Sequence, residues 1–239
     1  MSECYRQRYD SHMDFLTTVE VAQRLGVSPR EVRRLATTGV LTPVKIGTSW
    51  TFSDTEVYRL QRQARHPGRL WSARTAWAAL ELLGGASTEL IDQPRRSRLL
   101  ARLRALEPQQ LHRLAGKRTE VHRFHASDRG LSRLSRFVSP TGISAVADQA
   151  TAQRFGLAGV ASEKRVDGYT RVDLTIVVEK CRLVPDAAGN ATVRQLPEGL
   201  AVDHLLGTAP VVAIDLMDSD DVRERGSGRD RLKELLDGV

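Results

Sequence analysis

The chain is 239 residues long with a formal net charge of +7, and its 41% apolar and 27% charged residues are the balance of an ordinary globular protein, with no internal repeat or low-complexity segment. No apolar run approaches a membrane span or a secretory signal, so no membrane partner is expected and the protein is expected in the cytoplasm. Two cysteines, Cys4 and Cys181, exclude a disulfide framework and a Cys-based zinc site; both thiols are expected to be reduced, and no metal or cofactor is expected.

The most complete pattern runs from Leu16 to Ser53. Thr18 can cap a short helix in which Val19, Ala22 and Leu25 recur at helical spacing, and Gly26 supplies a left-handed stop. Ser28 then opens a second helix, with Pro29 at its first position and Glu31 placed for a capping box. Val32, Leu35 and Ala36 form its inward stripe, which leaves Arg30, Glu31, Arg33, Arg34 and Thr37 outside. Gly39 closes that helix. Pro43 to Ile46 and Trp50 to Phe52 read as two short strands around Gly47, Thr48 and Ser49, and Ser53 as the cap of a following helix.

Such a hairpin is a wing, with Lys45, Thr48 and Ser49 placed to touch phosphates beside the groove that the second helix enters. The run LTTVEVAQRLGVSPREVRRLATTGVLTPVKIGTSWTFS resembles the excisionase and MerR type of winged helix-turn-helix. The resemblance implies that the Ser28 to Thr38 helix is the recognition helix. Members of that type usually carry a basic residue before the wing Trp; Ser49 stands there in this chain.

Charge is spread unevenly. Residues 1–58 balance seven Lys/Arg against seven Asp/Glu, residues 59–136 carry seventeen against six, and residues 137–239 carry twelve against sixteen. Arg59, Arg62, Arg65 and Arg69 recur every three or four residues after the wing, and Arg95, Arg96, Arg98, Arg102 and Arg104 make a second cluster. Both suit phosphate contact without sequence readout, and for the second cluster simple solubility serves equally well.

Behind the wing, His66, Pro67 and Gly68 interrupt the helical pattern and mark a hinge. Trp71 to Leu83 reads as a buried helix ending at Gly84 and Gly85, and Leu99, Leu100, Leu103 and Leu106 as a second stripe stopped by Pro108. Glu120 to His125 alternates as a strand, Ser127 and Asp128 start a helix, and Ile143 to Ala152 reads as another. Leu174, Val177, Val178 and Cys181 keep helical spacing in a run whose residue types favour strand; a helix is expected there. A strand over Ala191 to Leu196 and helices over Ala209 to Met217 and Val222 to Leu236 close the chain. The expected organisation is a loose N-terminus (1–15), a winged helix-turn-helix (16–66), a helical block (67–118) and an α+β domain (119–239), mainly α with small β.

Asp215, Asp218, Asp220 and Asp221 with Gly226-Ser227-Gly228 faintly suggest a nucleotidyltransferase metal site, but the acids precede the Gly-Ser step. Ser219 and Asp220 suit a cap of the last helix better. No P-loop or nucleophile-base arrangement occurs, so no catalysis is expected.

The run from Arg165 to Leu200, followed by Ala209 to Leu236, is similar to the C-terminal region of AbiEi-type antitoxins through Leu183-Val184-Pro185, the Gly189 to Arg194 turn and strand, and the Val212 to Leu216 helix with its acidic end. That resemblance implies a repressor and antitoxin of a type IV toxin-antitoxin system, partnered by a nucleotidyltransferase-like toxin of the same operon. Its other partner is double-stranded DNA at its own promoter, bound at repeated half-sites as a homodimer or as cooperative monomers. Arg30, Arg33 and Arg34 are then candidates for base edges, Arg59 and Arg62 for the DNA backbone. The alternatives are an excisionase-like recombination directionality factor or another winged-helix regulator.

Overall fold

The computed structural model describes residues 15–47, 49–63, 70–157 and 164–239. Cys4, Arg65, Arg69, Thr48 and the His66-Pro67-Gly68 hinge lie outside them. The chain divides into two compact units, residues 1–68 and 69–239, each with its own apolar core.

The first unit runs β1 (Phe15–Thr17), α1 (Thr18–Leu25), α2 (Pro29–Thr37), β2 (Val44–Ile46), β3 (Ser49–Ser53) and α3 (Asp54–Gln63). β1 was not anticipated: it pairs antiparallel with β3, Leu16 opposite Phe52, and makes the hairpin part of a three-stranded sheet of order β1-β3-β2. The strand carries the chain to Thr17, and Thr17, not Thr18, caps α1. Its hydroxyl accepts from the Glu20 N–H at 3.3 Å while the Glu20 carboxylate accepts from the Thr17 N–H at 2.7 Å. Only Thr17 has a Glu three residues on, whereas Thr18 would find Val21 there. This start turns Val21 and Ala22 inward and leaves Val19 57% exposed, which corrects the expected stripe. They pack with Val32, Ala36, Leu41, Phe52 and Val57.

The second unit contains α4 (Ala73–Leu83), α5 (Gln93–Leu103), α6 (Pro108–Leu114), β4 (Glu120–His125), α7 (Asp128–Leu134), β5 (Ser139–Pro140), α8 (Gly142–Ala145), α9 (Gln149–Arg154), β6 (Val166–Thr170), α10 (Leu174–Cys181), β7 (Val184–Pro185) and β8 (Ala191–Gln195), then a 3-10 turn at Asp203–Leu205, α11 (Ala209–Leu216) and α12 (Val222–Asp237). Its sheet has the order β5-β6-β8-β4-β7, with β6 and β8 parallel and the other pairs antiparallel. Ala191 and Val193 face a core shared with Leu131 and Leu134 of α7 and Val177 and Cys181 of α10. Tyr169 joins the opposite core, built on Trp77, Leu80, Leu103, Leu111, Ile214 and Leu232. This second core runs through both the 67–118 block and the region after 119, so the two share one compact unit.

Several elements differ from expectation. Pro108 does not stop a helix but starts α6, at the first position where a missing N–H costs nothing. The helix expected over Ile143 to Ala152 is split, because Asp148 accepts from the Thr151 N–H and caps α9 as a separate helix. β6 was missed because its Val-Asp-Gly-Tyr-Thr sequence places a carboxylate and a glycine within a buried strand. α10 does form despite its β-branched residues, since helical spacing sends Val177 and Cys181 into the core. Among the described residues no helix is long and apolar enough to cross a membrane.

Candidate nucleic-acid interface

α1 and α2 are joined by Gly26-Val27-Ser28, and Gly26 at φ +66° makes the tight reversal that an L side chain resists. The Ser28 hydroxyl accepts from the Glu31 N–H at 3.2 Å and Pro29 takes the first helical position, so the start of α2 is fixed locally. Val32 and Ala36 are buried beneath it. Struts from distant residues orient the pair. Arg24 of α1 forms an ion pair with Asp54 at the start of α3, Gln61 donates to the Arg24 carbonyl at 3.1 Å, and the Thr42 N–H donates to Glu56 at 3.0 Å. No sequence signal flagged Arg24 or Glu56, because their partners lie 30 and 14 residues away.

On the open side of α2, Arg30, Arg33 and Thr37 are exposed at positions i, i+3 and i+7 and therefore share one strip. Arg34 does not stand with them as an equivalent. Its guanidinium donates to both Glu31 oxygens, at 2.9 and 2.7 Å, and those bonds hold the Glu31 carboxyl below the usual carboxylate range while raising Arg34. Glu31 is thus turned along the helix to Arg34 rather than back to Ser28, and the expected reciprocal capping box is replaced by a bidentate ion pair. The Thr37 hydroxyl donates to the Arg33 carbonyl at 2.9 Å, which leaves its methyl and oxygen lone pairs available outward.

The wing is tighter than expected. Ser49 belongs to β3 and pairs with Ile46, so it is not part of the loop between the strands. That register sets Lys45 opposite Trp50, and both are exposed. Trp50 is a candidate contact that sequence reasoning omitted; only the strand register shows it to stand beside Lys45. Arg59 is half-buried on α3, Arg62 lies on the same helix with its side chain outside the described residues, and the Thr48 contact falls outside them too.

Within residues 15–63, two short helices meet at a glycine turn, the second basic and exposed, and a hairpin wing and a third helix follow. Residues 15–65 match the helix-turn-helix domain family. The chain therefore carries an N-terminal helix-turn-helix domain, a module of DNA-binding regulators, on about its first quarter. No curated protein and no solved structure matches the chain.

The acidic run behind the helix-turn-helix domain caps the last helix one residue later than expected, and its other carboxylates are taken up by arginines. Asp215 accepts from Arg118 at 2.5 Å, from the Thr141 hydroxyl at 2.6 Å and from the Tyr169 hydroxyl at 3.0 Å. Asp218 accepts from Arg118 at 3.1 Å and from Arg194 at 2.6 Å, and lies 2.8 Å from His112 Nε2. Asp220 pairs with Arg123 at 3.0 Å, and Asp221, not Ser219 or Asp220, caps α12. Arg194 also grips Asp167 through two nitrogens, at 2.7 and 2.9 Å. Burial works against the charge of Arg118 and Arg194, but the carboxylates around them prevail and both are held above the usual guanidinium range. Burial also raises Asp167 and the Tyr169 phenol. These carboxylates are bound by guanidiniums of the same unit and act as its polar centre.

Proposed function

We propose that this chain is a transcriptional repressor that reads double-stranded DNA by placing α2 in the major groove, and that it acts by binding and not by catalysis. The observation that carries this reading is the exposed Arg30, Arg33 and Thr37 strip on a helix fixed at both ends and backed by a wing. Arg33 and Arg30 supply bidentate donors suited to the O6 and N7 of guanine, and the Thr37 methyl suits a thymine methyl. Lys45, Ser49 and Trp50 flank the groove at the sugar-phosphate backbone.

Selection of bound sequences from a random duplex pool, followed by titration of the selected site, tests this directly. Arg33→Ala should lose about 1–3 kcal/mol at one base pair and relax the preference there. Unchanged affinity with unchanged preference removes α2 from the recognition role.

The body from residue 69 onward is assigned the antitoxin role that its similarity to AbiEi-type C-terminal regions implies, with a nucleotidyltransferase-like toxin as the second partner. Growth of cells expressing the neighbouring open reading frame, alone and with the full chain, tests that role. Relief of toxicity supports it; a harmless neighbour, or no relief, leaves a DNA-binding regulator. A neighbouring integrase whose excision reaction requires this chain would instead make it a recombination directionality factor.

A further inference from the structure

We infer that α5 is a second DNA-contacting surface, built into the body and binding the sugar-phosphate backbone without reading sequence. Residues 93–104 hold five arginines and no carboxylate, although the 137–239 region of the same chain is acidic on balance. α5 buries Leu99 and Leu103 and turns Arg95, Arg98 and Arg102 outward. At i, i+3 and i+7 these three share a strip about 10 Å long at 1.5 Å per residue, close to three phosphate-to-phosphate steps of about 3.4 Å axial rise each along one strand.

The guanidiniums are displayed rather than neutralised. Arg95 lies 3.5 Å from the Asp92 cap, an exposed and loose pairing. Arg98 spends one nitrogen on the Pro94 carbonyl at 3.1 Å, and Arg102 stands over the Trp71 ring at 5.4 Å, which fixes its stem while keeping its charge. Among the described residues, Arg98 and Arg102 meet no carboxylate within ion-pair distance. A charge placed only for solubility has no need of such alignment.

DNA is the partner of choice because the helix-turn-helix domain already brings the chain to a duplex, and a covalently attached basic surface then meets phosphates at high effective concentration. The inference rests on the DNA-binding reading for its partner, and on nothing else in it.

The test is the salt dependence of binding of the full chain to a 30-base-pair duplex of arbitrary sequence, with Arg95→Gln/Arg98→Gln beside Arg95→Lys/Arg98→Lys and Arg33→Ala. Each lost phosphate contact lowers the slope of log affinity against log salt by about 0.9, so the Gln pair should lose roughly 1.8 and the Lys pair should restore it. Preference for the selected site over the arbitrary duplex should survive in the Gln pair and fall in Arg33→Ala. An unchanged slope, or a slope lost equally with Lys, overturns the inference and leaves the α2 reading standing. A lowered slope with Arg33→Ala inert does the reverse. Should the double variant melt early, either single Gln variant reads the same effect at about 0.9.

Discussion

Arg34 shows how much one hydrogen-bond pattern changes the reading of a motif. In sequence Arg30, Arg33 and Arg34 are equivalent cations, but the bidentate bond from Arg34 to Glu31 makes one of them a partner of its own helix. Glu31 also sets a negative charge beside the exposed Arg30, Arg33 and Thr37 strip proposed to read base edges. Replacing it by Gln keeps the backbone N–H that Ser28 caps and releases the Arg34 guanidinium. Glu31→Gln is therefore expected to tighten binding to arbitrary duplex and to steepen its salt slope by about 1, as measured by titration from low to moderate salt. A slope equal to that of the natural chain would mean that Arg34 already leaves Glu31 when DNA arrives. The sign with pH follows from the same bond: a carboxyl held below its usual range stabilises the fold above the ordinary carboxylate range, and that contribution is lost as pH falls through the lowered value. Glu20, held low by the Thr17 cap, acts in the same direction.

At the scale of elements, α12 carries two glycines with opposite roles. Gly228 lies where α12 crosses α11, and a Cβ there would stand 2.5 Å from the Ala213 carbonyl oxygen and 2.9 Å from the Leu216 Cβ. A Cβ at Gly226 would meet nothing within 4 Å. Both sit inside one helix, where Gly is about 1 kcal/mol worse than Ala by intrinsic preference. Gly226→Ala should raise stability by about 0.5–1 kcal/mol, while Gly228→Ala should lower it by about 1–3 kcal/mol because backbone cannot move aside cheaply. Urea unfolding of the two variants reads the contrast, and equal effects of the same sign would refute the crossing as described. Of the Gly-Ser-Gly step, Gly228 is thereby accounted for by helix packing.

For the whole molecule, the second unit holds a buried ionic network beside its apolar core. Arg194, on the β8 face that looks toward α11, holds Asp167 from β6 and Asp218 from the end of α11, and Arg118 before β4 reaches Asp215 and Asp218. Four stretches of separate sequence are thus tied at one point. Such a network is costly to desolvate and strongly resists the loss of one member. Arg194→Met should cost about 3–5 kcal/mol, with cooperative unfolding of residues 69–239 shifted accordingly in urea, because Asp167 and Asp218 would be left buried with fewer partners. A shift under about 1 kcal/mol would show that the buried charges reorganise without it.

What the sequence by itself determined was the helix-turn-helix domain and most helix positions. The signals there are local: Ser28 with Pro29, Gly26 at the turn, Ser127 before α7 and the Val177 to Cys181 spacing each act within one or two turns of chain. Even so, β1 exists only through pairing with β3 some 36 residues on, and the sequence did not show it. Tertiary structure alone decided the partners of the acidic run, since Arg118 and Asp215 are separated by 97 positions and their charges say nothing of which opposite charge they will meet. It also decided that Gly228 is a crossing point and that Trp50 stands beside Lys45. Local hydrogen bonds and periodicity are written in neighbouring residues, whereas register, helix crossings and buried ion pairs are fixed by the packing of residues that sequence does not place side by side.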